Sequence, residues 1–468
     1  MTRTNDLVIT DARVHLPDGE VVNGWLAVAD GRVAALGSGP VPDATTTISA
    51  QGRDVIPGVI DIHTHFRDPG DTHKEDFSTG TLAAAFGGVT TIVDMPNTGR
   101  QVLTPADYRE KLEHVAGRAW VDYGLHAQFD DSSSFIAELA GLGAAGLKWM
   151  MGYETWKGLR CRPSSYAEAR DNLAEAARTG LLVGVHAESL AWMQDLQADL
   201  RAKGRSDLAA HGDSRPPYVE AIATAEAAIV AAAFGCRLHI HHLTSEIPLR
   251  TAVALREALG ARLTIETCPS YLFLTHDDVE AQGIGIQVNP PMRSQADQDV
   301  MWQALNDGLV ASVGSDHAPT VAEDKATENP MDALPGVVGV ETMLPLMLDA
   351  ALNGRITLAR MIEVLCRNPA EIVRLGHRKG ALLPGYDADF VIVDRAGSTR
   401  IEGRRLHSKG KFTPYEGREL DGAISAVYLR GQALVADGEL LADAPRGEHA
   451  PSAYPEPARV SVPVGAVP

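Results

Sequence analysis

Thiols are scarce in this chain. Four cysteines (Cys161, Cys236, Cys268 and Cys366) are scattered through 468 residues with no Cys-x-x-Cys spacing. Neither a disulfide framework nor a thiolate zinc site is expected from them. Positive charge is short as well. Lys and Arg number 42 against 61 Asp and Glu, a net charge of −19 with a pI near 5.3. That balance opposes binding to nucleic acid or an anionic membrane, and an anionic substrate would need a local basic residue. No apolar run approaches 18 residues, and the opening Met-Thr-Arg-Thr-Asn-Asp lacks the apolar core of a signal peptide. The expectation is a cytoplasmic protein without membrane spans. Aromatic residues make up only 5%, but Ala, Leu and Val are plentiful and 45% of the chain is hydrophobic. This is an ordinary α/β composition, long enough for more than one domain. Internal repeats and long low-complexity tracts are missing too.

What is present falls into three zones. Residues 1–55 read as short strands joined by turns, with Asp18-Gly19 and Asp30-Gly31 between apolar runs as hairpin signals. From Val55 the grammar changes to strand, loop, helix, repeated. Strands are expected at 59–63, 90–94, 121–125, 146–150, 182–186, 238–242, 263–267 and 310–316, with helical segments between them. Eight such units over residues 56–370 predict a (β/α)8 TIM barrel, with a doubly wound open sheet as the alternative. Hairpin grammar returns over 371–445, so the two chain ends are expected to combine in a small β-sandwich beside the barrel. The Pro-rich tail, 446–468, has little core potential and reads as an extended arm or a disordered one.

Chemistry concentrates at the predicted strand ends. The run Val59-Ile-Asp-Ile-His-Thr-His65 is a buried strand ending in His63 and His65, which the two-residue period puts on one face. Alone, such a pair equally suits satisfied surface histidines. But Lys148 stands in the fourth strand, His186 ends the fifth, His242 the sixth and Asp316 the eighth. Four histidines, a lysine and a carboxylate on five strand ends point to a metal centre. A lysine inside an apolar strand is costly to bury as an ammonium ion. Burial lowers its pKa, leaving an amine able to take up carbon dioxide as a carbamate; the plain alternative is a lysine that snorkels to a carboxylate.

The segments Asp61-Ile-His-Thr-His-Phe-Arg-Asp-Pro-Gly70, Gly87-Gly-Val-Thr-Thr-Ile-Val-Asp-Met-Pro-Asn-Thr98, Gly314-Ser-Asp-His-Ala-Pro319 and Asn368-Pro-Ala370 resemble the cyclic amidohydrolases: dihydroorotase, allantoinase and hydantoinase. The resemblance runs to about residue 440. It implies two divalent metal ions, usually zinc, bridged by an N6-carboxylated Lys148. His63, His65 and Asp316 would hold one ion, His186 and His242 the other. His239 and His241 then fall behind the centre or in the core. Asp316 would be the catalytic proton shuttle, and the substrate a small cyclic amide. Arg67, Asn97 and Asn289 resemble dihydroorotase contacts to a carboxylate-bearing ring. Tyr153 and Glu266-Thr-Cys-Pro-Ser-Tyr271 look more like a hydantoinase or allantoinase. Thr320 stands where dihydroorotases have a histidine beside the substrate. The first expectation is therefore a dihydroorotase in pyrimidine biosynthesis, with hydrolysis of neutral cyclic ureides as the alternative. A non-catalytic scaffold homologue is a further option, opposed by the full ligand set. Relatives of this kind imply a homo-oligomer, dimer or tetramer.

Overall fold

Asp-Gly turns begin and end the chain's outer sheet. In the computed structural model, which describes residues 5–131, 133–156 and 158–454, Asp30 (φ 50°) and Gly31 (φ 71°) both lie in the left-handed region. That is the turn geometry that lets Val21–Ala29 fold back on Arg32–Gly37. Asp437 and Gly438 repeat it before Glu439–Leu440. Nine strands form this sheet. Its path runs from Glu439–Leu440 through Gln432–Ala436, Glu419–Leu429, Phe390–Arg400, Asp54–Pro57, Asn5–His15 and Val21–Ala29 to Arg32–Gly37, while Ala44–Ser49 pairs with Asn5–His15 off that path. The two chain ends thus share one sheet, joined where Val391 pairs with Ile56. Its own small core holds Ile9, Leu26, Val55 and Phe390, the last stacked on Tyr428.

The inner layer is parallel. Strands Val59–Thr64, Val89–Asp94 and Asp122–Leu125 pair in order, and the third continues as Ala127–Gln128. That continuation pairs with Leu147–Met150, followed by Leu182–His186, Arg237–Ile240, Arg262–Thr267 and Ser312–Val313. Just beyond the last strand, His317 bridges in parallel to Thr64 and accepts a hydrogen bond from the His65 amide at 2.8 Å. Pairing thereby returns to the first strand. The first five strands are buried at every position, as expected of parallel strands covered by helices. The result is a mixed α/β molecule with one large sheet beside this parallel layer.

Several elements depart from the expectations. The helix after the first parallel strand, Phe77–Phe86, starts where Asp76 and Thr79 form a capping box. Helices Leu190–Ala202 and Leu208–Asp213 were not anticipated, nor was the small hairpin of Thr155–Trp156 with Leu159–Arg160. The eighth strand contracts from 310–316 to Ser312–Val313, since Asp316 leaves extended geometry for φ 46°. The tail up to Tyr454 is extended and held: the Gly447 amide donates to Ala119 O, and Tyr454 Oη to Ala144 O at 2.8 Å. Residues 455–468 lie outside the described residues. One stretch, Leu208–Phe234, is long and apolar enough to cross a membrane by length and composition alone. It is two helices broken at Pro216, and Pro217–Phe234 packs on Glu246–Leu259.

Candidate active site

The carboxyl ends of the parallel strands converge on one cavity. His63 is the fifth residue of Val59–Thr64, and His65 follows it on the same face, both buried. Lys148 stands inside Leu147–Met150, only 1% exposed. His186 ends its strand. His242 lies two residues past Ile240 and Asp316 three past Val313. The backbones of Arg67 (φ 59°), His242 (φ 41°) and Asp316 (φ 46°) are all left-handed. Non-glycine residues adopt that region at a cost of roughly 1–3 kcal/mol, and such strain gathers at functional sites. It turns each side chain inward where a regular strand would carry it past the opening.

Distances divide the donors into two groups. Asp316 Oδ1 lies 3.4 Å from His63 Nε2 and 3.3 Å from His65 Nε2. Those three residues form a cluster able to hold one ion. On the other side, His186 Nδ1 stands 2.9 Å from His242 Nε2. Lys148 Nζ and His63 Nε2 are buried and have no hydrogen-bond partner among the described residues. Burial holds His63 and His242 well below the usual imidazole range, reinforced by Lys148 and by His186 respectively. It lowers His65 and His186 too, against the opposing pull of Asp316 and Glu188. Neutral imidazoles are the form that ligates a metal. Burial also pushes the Lys148 ammonium down to about 8, although Asp316 and Glu266 oppose it. Orphaned buried donors, imidazoles held below their usual range and a lysine whose ammonium form is weakened fit a site for divalent cations.

Behind the donors sit groups that hold them in place. Glu266, fully buried, contacts His63 Nδ1 at 2.7 Å, His241 Nδ1 at 3.2 Å and His239 Nε2 at 3.3 Å. His239 and His241 therefore face Glu266 and do not line the cavity. A Cβ at Gly314 would come 2.8 Å from the Glu266 carboxyl, so only glycine leaves room there. The contact on Nδ1 leaves His63 Nε2 to face the cavity. Glu188 plays the matching part for His186 Nε2, at 2.8 Å.

The cavity, about 50 Å³, is lined by all six expected ligands and by Arg67, Asn97, Tyr153 and Asn289. Asn97 Oδ1 is buried without a partner. Tyr153 Oη and the Asn289 side chain are 2.8 Å apart. Thr320 is not brought to this wall: it is buried elsewhere, its hydroxyl unpartnered. Sequence reasoning missed Trp156, over which Arg67 stacks at 5.7 Å from the ring centroid. It also missed Glu188 and the Glu266 contact. His186-Ala-Glu188 carries the same two-residue spacing as His63-Thr-His65 and was a signal for the first of these.

Comparison with known proteins agrees with this geometry. The Amidohydrolase family profile matches residues 55–434. An allantoinase from Deinococcus radiodurans is 33% identical over 446 residues, covering 94% of this chain and 98% of the relative. A dihydroorotase from Halobacterium salinarum is 36% identical over 442 residues, covering 93% and 96%. Among solved structures, an L-hydantoinase (dihydropyrimidinase) from Arthrobacter aurescens superposes with a TM-score of 0.91 at 31% identity, covering 95% of this chain and 99% of that one. The chain belongs to the amidohydrolase family, within its group of enzymes that hydrolyse cyclic amides.

Proposed function

We propose that this enzyme opens a small cyclic amide whose ring carries a carboxylate, the dihydroorotase reaction that interconverts dihydroorotate and N-carbamoyl-aspartate. The circuit of parallel strands is read here as a closed (β/α)8 barrel with its chemistry at the carboxyl ends. Arg67 is the observation that carries the substrate reading. It is buried on the cavity wall, stacked on Trp156, and makes no ion pair among the described residues. Asp316 and Asp71 act on it through charge without an ion-pair contact, while Asp68 is taken by His114 and Arg118, and Asp324 by Lys74. An unpaired buried guanidinium is costly unless a ligand anion meets it.

His63, His65 and Asp316 would hold one divalent ion and His186 with His242 the other, zinc being the proposed metal and a carboxylated Lys148 the shared ligand. When bound, the ions supply Lewis acidity and a hydroxide at neutral pH. Asp316 takes the proton of the attacking water and returns it to the leaving ring nitrogen. In the free cavity the Tyr153 phenol rests on Asn289 and on binding turns its proton to the carbonyl oxygen, while Asn97 and Asn289 orient the ring. Trp156 and Arg67 close the wall around the carboxylate.

A second reading rests on Tyr153. Its phenol and the Asn289 amide form a neutral hydrogen-bonding pair on the cavity wall, which suits an uncharged ureide ring of the hydantoin or allantoin type. Arg67→Met separates the two. A charge-assisted contact is worth roughly 1.5–3 kcal/mol, so kcat/KM on dihydroorotate should fall about ten- to a hundredfold. Rates on dihydrouracil, hydantoin or allantoin should stay nearly unchanged. Equal losses on charged and neutral rings would move the assignment to the neutral ureides.

A further inference from the structure

The fork of Arg215 reaches two parts of the site at once. Its Nη1 donates to Glu188 Oε2, the oxygen that also meets His186 Nε2 at 2.8 Å. Its Nη2 lies 3.3 Å from the Asn289 side-chain oxygen, when that amide is turned to satisfy all its neighbours. In that orientation Asn289 also accepts from Tyr153 Oη at 2.8 Å, and donates to His211 Nε2 at 2.7 Å and to Val288 O at 3.0 Å. Arg215 itself is buried, and its carbonyl accepts from Arg293 Nη1 at 2.6 Å. The Glu188 carboxylate is thus clamped between a guanidinium and an imidazole.

We propose that Arg215 is a positioning residue that couples the His186–His242 half of the metal centre to the Asn289–Tyr153 wall of the substrate cavity. One guanidinium nitrogen holds Glu188 against His186, fixing which ring nitrogen faces the centre. The other holds the Asn289 oxygen, which fixes the direction of the Tyr153 hydroxyl. A planar fork makes both contacts from one side chain, whereas a lysine ammonium of similar charge reaches one of them. The inference rests on the metal-centre reading above, and it gives Arg215 a role without contact to substrate.

Three variants test it, each read by zinc affinity in chelator competition and by KM on the best ring substrate. Glu188→Gln should weaken zinc binding about ten- to a hundredfold, the usual effect of losing a partner that orients a metal-bound histidine. Its KM should stay near that of the wild type. Arg215→Lys keeps a charge on Glu188 and loses the Asn289 contact, so zinc affinity should stay within about threefold while KM rises roughly two- to tenfold. Arg215→Met should show both effects. Should that variant fail to fold, the opposite signatures of Arg215→Lys and Glu188→Gln still carry the comparison. A merely structural arginine would lower Tm in its variants and leave zinc affinity and KM in place, which would overturn the proposal. So would an Arg215→Lys chain that loses zinc as fully as Glu188→Gln. Wild-type chain that takes up no zinc would overturn the metal-centre reading and this inference together. Wild-type uptake with indifferent variants would sink only the role of Arg215.

Discussion

Lys148 is the residue on which the proposed centre turns. Its neighbours Leu147, Trp149 and Met150 are buried and apolar, and its Nζ has no hydrogen-bond partner among the described residues. A bare ammonium ion there would be expensive, which is why burial draws its pKa down to about 8. A carbamate on the same nitrogen instead supplies two anionic oxygens to two cations. Lys148→Ala should therefore lose both ions and nearly all turnover, with partial recovery when a short carboxylic acid is added in excess. Metal analysis decides the matter: two ions retained per mutant chain would rule out the bridging role. The neighbouring histidines illustrate how little a single position says. His242 and His241 are adjacent, yet only His242, with its left-handed backbone, reaches the cavity.

At the scale of elements, a few buried ion pairs tie the outer strands to one another and to the parallel layer. Asp54 starts the short strand that pairs with both Asn5–His15 and Phe390–Arg400. Its carboxylate lies 2.6 Å from His15 Nε2 and 2.9 Å from Arg395 Nη2. Burial would raise its pKa, but the hydrogen bonds from His15 and Arg395 prevail and hold it at about 2, below the ordinary 3.8. A depressed carboxylate contributes stability that is complete above its unfolded pKa and is lost as pH falls through the folded one. Wild-type Tm should thus drop between about pH 4 and pH 2. Asp54→Asn should cost on the order of 1–3 kcal/mol at neutral pH and flatten that acid limb. An acid limb as steep in the variant as in the wild type would show that other carboxylates set it. Lys379 makes a second such joint, with Nζ 2.8 Å from Asp122 on the third parallel strand and 2.5 Å from Asp389 in the outer sheet's approach.

The whole molecule carries a net charge of −19, yet one helix exposes several large apolar side chains. Tyr218, Ile222 and Ile229 recur on one side of the helix Pro217–Phe234, and all three are exposed, with Trp192 in ring contact with Tyr218. Exposed apolar stripes of this kind mark association surfaces. The homo-oligomer that the resemblance implies is predicted to bury this stripe. Burying an isoleucine is worth about 2 kcal/mol, so Ile222→Glu with Ile229→Glu should weaken association more than about a hundredfold. Sedimentation would report smaller particles with zinc content unchanged. Wild-type particles already monomeric at micromolar concentration would end this idea.

The sequence by itself determined the character of the two layers and the ligand types. The switch from Asp-Gly hairpin signals to strand-loop-helix units is a matter of local periodicity, and periodicity is written residue by residue. The residues that converge on the cavity were legible because histidine, lysine and carboxylate at strand ends are conspicuous in apolar runs. The resemblance of Asp61–Gly70 and Gly314–Pro319 to known enzymes added the proposed division of those residues between two ions. Only the tertiary structure decided that Thr320 stays off the cavity wall while Trp156 forms part of it. It also decided that Arg67 makes no ion pair among the described residues, and that Glu188, Glu266 and Arg215 stand behind the histidines. Those facts depend on contacts between segments up to 203 residues apart, as between His63 and Glu266. They depend as well on left-handed turns at Arg67, His242 and Asp316, which the surrounding packing imposes and no local propensity announces.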